Sequence, residues 1–182
     1  MVSPGGIVAW LVRDTSVPVV ALEFTFRGGA SLDAAGKEGA ISLMADMLDE
    51  GAGDMNSQRF KGVLEDRSIS LGFSAGLDTV RGSLKTLSKN LDLAADYLHL
   101  SITQPRFDAD ALGRVKTSVI QGLRRSAEEP RTIASQTWMA TAFPGHPYGR
   151  PSRGTPDSVT ALTADDLRAA LTARLEIGRA HV

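Results

Sequence analysis

The sequence predicts an α+β domain, an antiparallel sheet backed by helices, and three observations predict it. Two β-branched, aromatic-rich runs, IVAWLVRD (7–14) and VPVVALEFTFR (17–27), are separated only by Thr15 and Ser16. A second strand-like pair lies at 69–87, ISLGFSAGLDTVRGSLKTL, which alternates on both sides of a turn near Gly76-Leu77-Asp78. Most of the remaining chain has helical periodicity and is punctuated by Pro and Gly. Short hairpin connections pair strands antiparallel, and helices grouped outside them form a second layer.

The elements follow in order. In the second run Val20, Leu22, Phe24 and Phe26 fall on one face and Ala21, Glu23, Thr25 and Arg27 on the other, the alternation of a strand with one covered side. GGASLDAAGKEG (28–39) reads as a glycine-rich loop. GAISLMADMLDEGAG (39–53) opens a helix expected to reach Glu50, with Gly51 as its C-cap residue. Asn56 or Ser57 caps a helix running to about Asp66. Residues 90–104 form a helix with an Asn90 cap, stopped by Pro105. Residues 108–129 form a long helix with an Asp108 cap, stopped before Pro130. A helix at 131–143 ends at Pro144-Gly145, PGHPYGRPSRGTP (144–156) is a loop, and Thr163 with Asp166 starts a last helix over 163–175.

Composition excludes several functions. The 182 residues carry 20 basic and 21 acidic side chains, a formal net charge of −1. Nothing there favours nucleic acid or an anionic membrane surface. The chain has no cysteine, so disulfides, thiol nucleophiles and cysteine zinc sites are excluded. No apolar run reaches the roughly 18–20 residues of a membrane helix. MVSPGGIVAWLV has neither a basic start nor a small-residue cleavage site and does not read as a signal peptide; the compartment is left open.

Individual residues offer little chemistry. On the opening helix Ser42, Asp46, Asp49 and Glu50 share one face, which composition alone reads as a solvated stripe. Zinc usually takes three protein ligands, and Ser42 with Asp46 gives one good oxygen donor. His99, among leucines, reads as a packed structural residue, and His146, in GHPYG, as part of a turn. RGGASLD lacks the Lys-Ser/Thr of a phosphate loop and the spacing of a dinucleotide fingerprint. Trp10, Phe24, Phe26 and Trp138 are expected in the core.

The order of the pieces is more informative. GIVAWLVRDTSVPVVALEFTFRGGASLD, GKEGAISLMADMLDEGAG, QPRFDADALGRVK and FPGHPYGRPSRGTPDSVTALTADDL occur in the sequence seen in the N-terminal domain of the insulinase/pitrilysin-type zinc peptidases, and together they span nearly all the chain to Leu175. The chain resembles that family, which includes the mitochondrial processing peptidase and bacterial relatives. Active members carry His-x-x-Glu-His on the opening helix, with two metal-binding histidines and a glutamate base, and a distant glutamate ligand. The resemblance places the first histidine at Ser42, the glutamate at Ala45, the second histidine at Asp46 and the distant ligand near Gln121. None of the four has the required group.

The resemblance therefore implies a non-catalytic subunit of a heterodimeric zinc endopeptidase. It would enclose and bind peptide substrates while a partner subunit of the same family supplies the zinc, with no cofactor in this chain. The sheet edge at Gly28, Gly29, Ala30 and Ser31 is the expected peptide contact, through strand addition. Two alternatives remain: a scaffold like the core proteins of a respiratory complex, and a self-sufficient peptidase built around His146. The final EIGRAHV abandons the helical pattern and reads like a translated sequencing adapter. The domain is expected to cover 1–175, cut from a longer protein, with 176–182, including His181, as a non-native tail.

Overall fold

The structure is a computed structural model that describes residues 1–2, 6 and 8–175. Its main sheet contains β1 (Val19–Arg27), β4 (Ser70–Ala75) and β5 (Thr79–Leu87), in the order β1-β5-β4 with both pairings antiparallel. A two-stranded ladder, β2 (Gly51–Ala52) with β3 (Met55–Asn56), lies beside it. The helices are α1 (Ala40–Met47), α2 (Ser57–Asp66), α3 (Leu91–Thr103), α4 (Ala109–Ser126), α5 (Pro130–Ala142), α6 (Pro156–Ala161) and α7 (Ala164–Leu175). The α+β expectation holds.

Alternation on β5 explains the layering. Val80, Gly82, Leu84 and Thr86 are buried beneath helices, while Arg81 and Lys85 point to water. One core joins α1 and Val80 to α4, α6 and α7 through Met44, Leu48, Leu112, Val159 and Leu167. A second joins α2 and α3 to the sheet through Phe60, Leu64, Leu71, Leu84 and Tyr97. Phe73 on β4 packs against both. Gly82 is required by its neighbour across the ladder: a Cβ there would come within 2.1 Å of the Phe24 ring. That ring makes edge-on contacts with Phe26 at 5.7 Å and Phe73 at 6.3 Å.

Local signals start several helices as expected. The Asn56 side chain accepts from the Arg59 N–H at 3.0 Å. At α7 the Thr163 hydroxyl accepts from Asp166 N–H, and the Asp166 carboxylate accepts from Thr163 N–H. Asn90 and Asp108 stand at N-cap positions, yet their side chains bond elsewhere, to the Arg67 carbonyl and to the Arg106 side chain.

Several expectations fail. The strand over 7–14 does not form: Ile7 lies outside the described residues, and 9–15 have no regular structure. Among the described residues β1 thus has a single strand partner, and Trp10, expected in the core, is 98% exposed. Trp138 is 64% exposed because α5 buries no residue. Phe24 and Phe26 are half-buried, since β1 is an outer strand. α1 stops at Met47 rather than Glu50, and Gly51 is not its cap but the start of β2. The positive φ of Gly51, 115°, serves its close approach to the Met55 carbonyl. α6 was not expected; Thr155 and Ser158 form its capping box, with Pro156 in the first turn.

Candidate functional site

α1 is positioned by residues from outside it. Its N-cap residue, Gly39, has no side chain, so the buried Asp33 carboxylate supplies the cap, accepting from Gly39 N–H at 2.7 Å and Ile41 N–H at 3.0 Å. Burial pushes the Asp33 carboxyl up, against those two N–H groups and the nearby Arg150 charge, which pull it down. Arg150 donates to the carbonyls of Asp33 and Ser31 and approaches Glu38 at 3.6 Å. The strip 150–154, which turns at Ser152 and Arg153, is thereby laid along the start of α1.

The strip then closes over the helix. Ser42 Oγ donates to the Ser152 carbonyl at 2.9 Å, and Arg153 donates to the Asp46 carboxylate at 3.2 Å. The approach is close enough to demand two glycines. A Cβ on Gly39 would meet the Arg153 carbonyl at 2.6 Å, and one on Gly154 would meet the Glu38 carbonyl at 2.3 Å; both have positive φ.

The polar stripe of α1 is therefore not a solvated face. Ser42 and Glu50 are buried, and Asp46 and Asp49 are half-buried. Glu50, just past the end of α1, accepts from Ser57 Oγ at 2.6 Å and from Lys61, with Arg114 at 3.4 Å, so it ties the segment that follows α1 to α2 and α4. Burial alone would raise its carboxyl, but Lys61, Ser57 and Arg114 hold it below the usual range. Asp46 goes the other way, raised by burial with Arg153 only partly opposing. Periodicity correctly grouped these residues; their tertiary partners, 7 to 110 positions away, were beyond its reach.

Asp49 gives a pH test. Burial raises its carboxyl; Lys61 opposes, while Glu50 and Asp46 add to the rise. A carboxylate with a raised folded-state value favours folding most when protonated, so it costs stability at neutral pH and less as pH falls through that value. Asp49→Asn is expected to raise stability at pH 7, with the advantage closing on acidification. Denaturant titrations across that range would read it; a gain independent of pH would refute the assignment.

The four motif positions do not suit zinc. Ser42 is engaged with a carbonyl, and a guanidinium stands on Asp46. Ala45 is buried and has neither a ligand nor a base to offer, while Gln121 lies exposed on α4. Among the described residues no group of three or more His, Asp or Glu could hold a metal ion.

The other sequence candidates fall elsewhere. Gly28, Ala30 and Ser31 donate their N–H groups to the carbonyls of Asp78, Gly76 and Leu77, and Gly29 packs against the same turn. His99, expected to be packed, is exposed because it points away from the buried Ala94–Tyr97–Ser101 face of α3. His146 accepts from Tyr148 N–H at 3.2 Å and sits against Tyr148 and Phe143, a turn residue as read. His181 lies outside the described residues. Sequence reasoning missed Arg153 and Asp33, although Asp33 stands six residues before the N-cap Gly39 and both lie in the segments that carried the resemblance.

Comparison with known proteins agrees with this geometry. No protein-family profile matches the chain. The non-peptidase homolog YmxG of Helicobacter pylori is 28% identical over 152 residues, which are 84% of this chain and 35% of that protein. The crystal structure of a peptidase M16 inactive domain from Pseudomonas fluorescens matches with a TM-score of 0.82 and 26% identity, over 88% of this chain and 39% of that one. The chain is M16-like in fold. A protease from Helicobacter pylori shares the fold at a TM-score of 0.75 and 18% identity, over 84% of this chain and 37% of that one. The M16-like chain thus spans little more than a third of each relative. The insulinase-type resemblance is borne out, and the two relatives just described at 28% and 26% identity are themselves described as non-peptidase and as inactive.

Proposed function

We propose that this M16-like chain is the non-catalytic partner in a two-subunit zinc endopeptidase, where it helps enclose peptide substrates and the other subunit carries the zinc. One observation supports the reading above others: the helix that bears the metal motif in active relatives is kept and well packed, but two of its motif positions, Ser42 and Asp46, are tied to the strip 150–154. A chain that retains the frame and not the ligands contributes shape and binding surface rather than the metal. The proposed domain is 1–175, with 176–182 as a tail outside it.

Peptide contact by strand addition is supported at the outer strands of the main sheet. Among the described residues β1 and β4 each pair only with β5 in the three-stranded order. Three N–H groups in 28–31 are already taken by the 76–78 turn. The contact proposed at Gly28, Gly29, Ala30 and Ser31 therefore narrows to the outer edge of β1 that leads into them.

The full-length protein should be assayed for peptide hydrolysis alone and mixed with a zinc-bearing M16 subunit from the same source. Hydrolysis is expected only in the mixture, and metal analysis of this chain alone should find no tightly held zinc. Stoichiometric zinc, or hydrolysis without the partner, would overturn the reading. Among the described residues no helix is long and apolar enough to cross a membrane.

A further inference from the structure

A cleft of about 650 Å³ opens on the far side of the strip that closes α1, between the end of α4, α5 and residues 148–154. Leu123 and Met139 line its apolar part, Gln136 and neighbouring hydroxyls of α5 its polar wall, and Tyr148 one end. Its charged lining is entirely cationic, consisting of Arg150 and Arg153. The two carboxylates that touch these arginines, Glu38 and Asp46, do not line it.

The two arginines differ in how far they are committed. Arg150 is one-third exposed and spans two carbonyls and Glu38, so it acts as a strut. Arg153 makes one hydrogen bond, to Asp46, and 59% of its side chain is exposed. A guanidinium carries five N–H donors in a planar fork suited to a second carboxylate. The mixed apolar and hydroxyl wall suits an extended peptide more than a small anion.

We propose that this cleft binds an extended peptide and that Arg153 selects an acidic side chain in it, with Asp46 as the internal competitor for the guanidinium. The proposal rests on the peptide-enclosing function above and adds the class of peptide. Arg153 is then a specificity residue, and the bond that closes α1 also sets how readily the cleft accepts a carboxylate.

Fluorescence anisotropy with three labelled octapeptides, identical except for a central Glu, Gln or Lys, tests it on the full chain at low salt. The Glu peptide is expected to bind about tenfold more tightly than the Gln peptide, the scale of one charge-assisted pair. Arg153→Gln should bring that ratio to about one while leaving the Gln peptide unchanged, and Asp46→Asn, which frees Arg153, should increase it. Melting curves establish that both variants fold. Equal binding of all three peptides, or a preference that survives Arg153→Gln, overturns the acidic selection and leaves the peptide-binding function standing. No binding of any peptide overturns both.

Discussion

Gly154→Ala is expected to destabilise the protein by about 2–5 kcal/mol. Two costs add. The residue has φ +75°, where an L side chain loses about 1–2 kcal/mol. Its Cβ would also come within 2.3 Å of the Glu38 carbonyl and 2.7 Å of Ser158 Oγ. The carbonyl is backbone and cannot swing aside, so relief requires the strip to lift from α1, another ~1–3 kcal/mol. For a chain of this size the sum lowers the melting temperature by roughly 10 °C. Gly36→Ala is the matched control: its φ is +78°, but nothing lies within 4 Å of the new Cβ. Equal losses for the two variants would show that the strip is not held against α1.

Phe60→Ala should cost about 3–5 kcal/mol, the usual range for deleting a fully buried ring. Phe60 has no exposed surface and lies 4.9 Å from the Tyr97 ring, at the centre of the core that joins α2 and α3 to β4 and β5. The ring packs in one cluster with Ala52, Leu64, Leu71, Leu84 and Tyr97, so its removal leaves a cavity inside that core. Phe60→Leu, which retains most of the volume, should lose much less. A loss below about 1 kcal/mol for Phe60→Ala, read from denaturant midpoints, would show that this second core is not close-packed.

These tests also mark what could be read in advance. Signals confined to a few residues were legible: the Asn56 cap, the hairpin at Gly76-Leu77-Asp78, the Thr163–Asp166 box. The resemblance located the emptied motif at Ser42, Ala45 and Asp46 because it read order along the chain, which single-residue chemistry does not. What escaped depends on partners far away in sequence. Ser42 and Asp46 look like surface residues until a strip more than a hundred positions later is laid on them. The run at 7–14 has every local property of a strand, yet among its described residues pairing is confined to an isolated bridge from Val8 to Val2, since strand pairing is set by a neighbouring edge and not by composition. Trp10 and Trp138 were misplaced for one reason: hydrophobicity predicts burial only where another element covers the side chain.

Those two tryptophans are the chain's only ones, and both face water. Indole emission follows the polarity around the ring, so unfolding changes the surroundings of either ring little. Circular dichroism, rather than intrinsic fluorescence, is the suitable monitor for the stability measurements above. The same placement makes the native chain a label-free sensor of association, because any surface that covers Trp10 or α5 would shift the emission to the blue and shield it from an aqueous quencher.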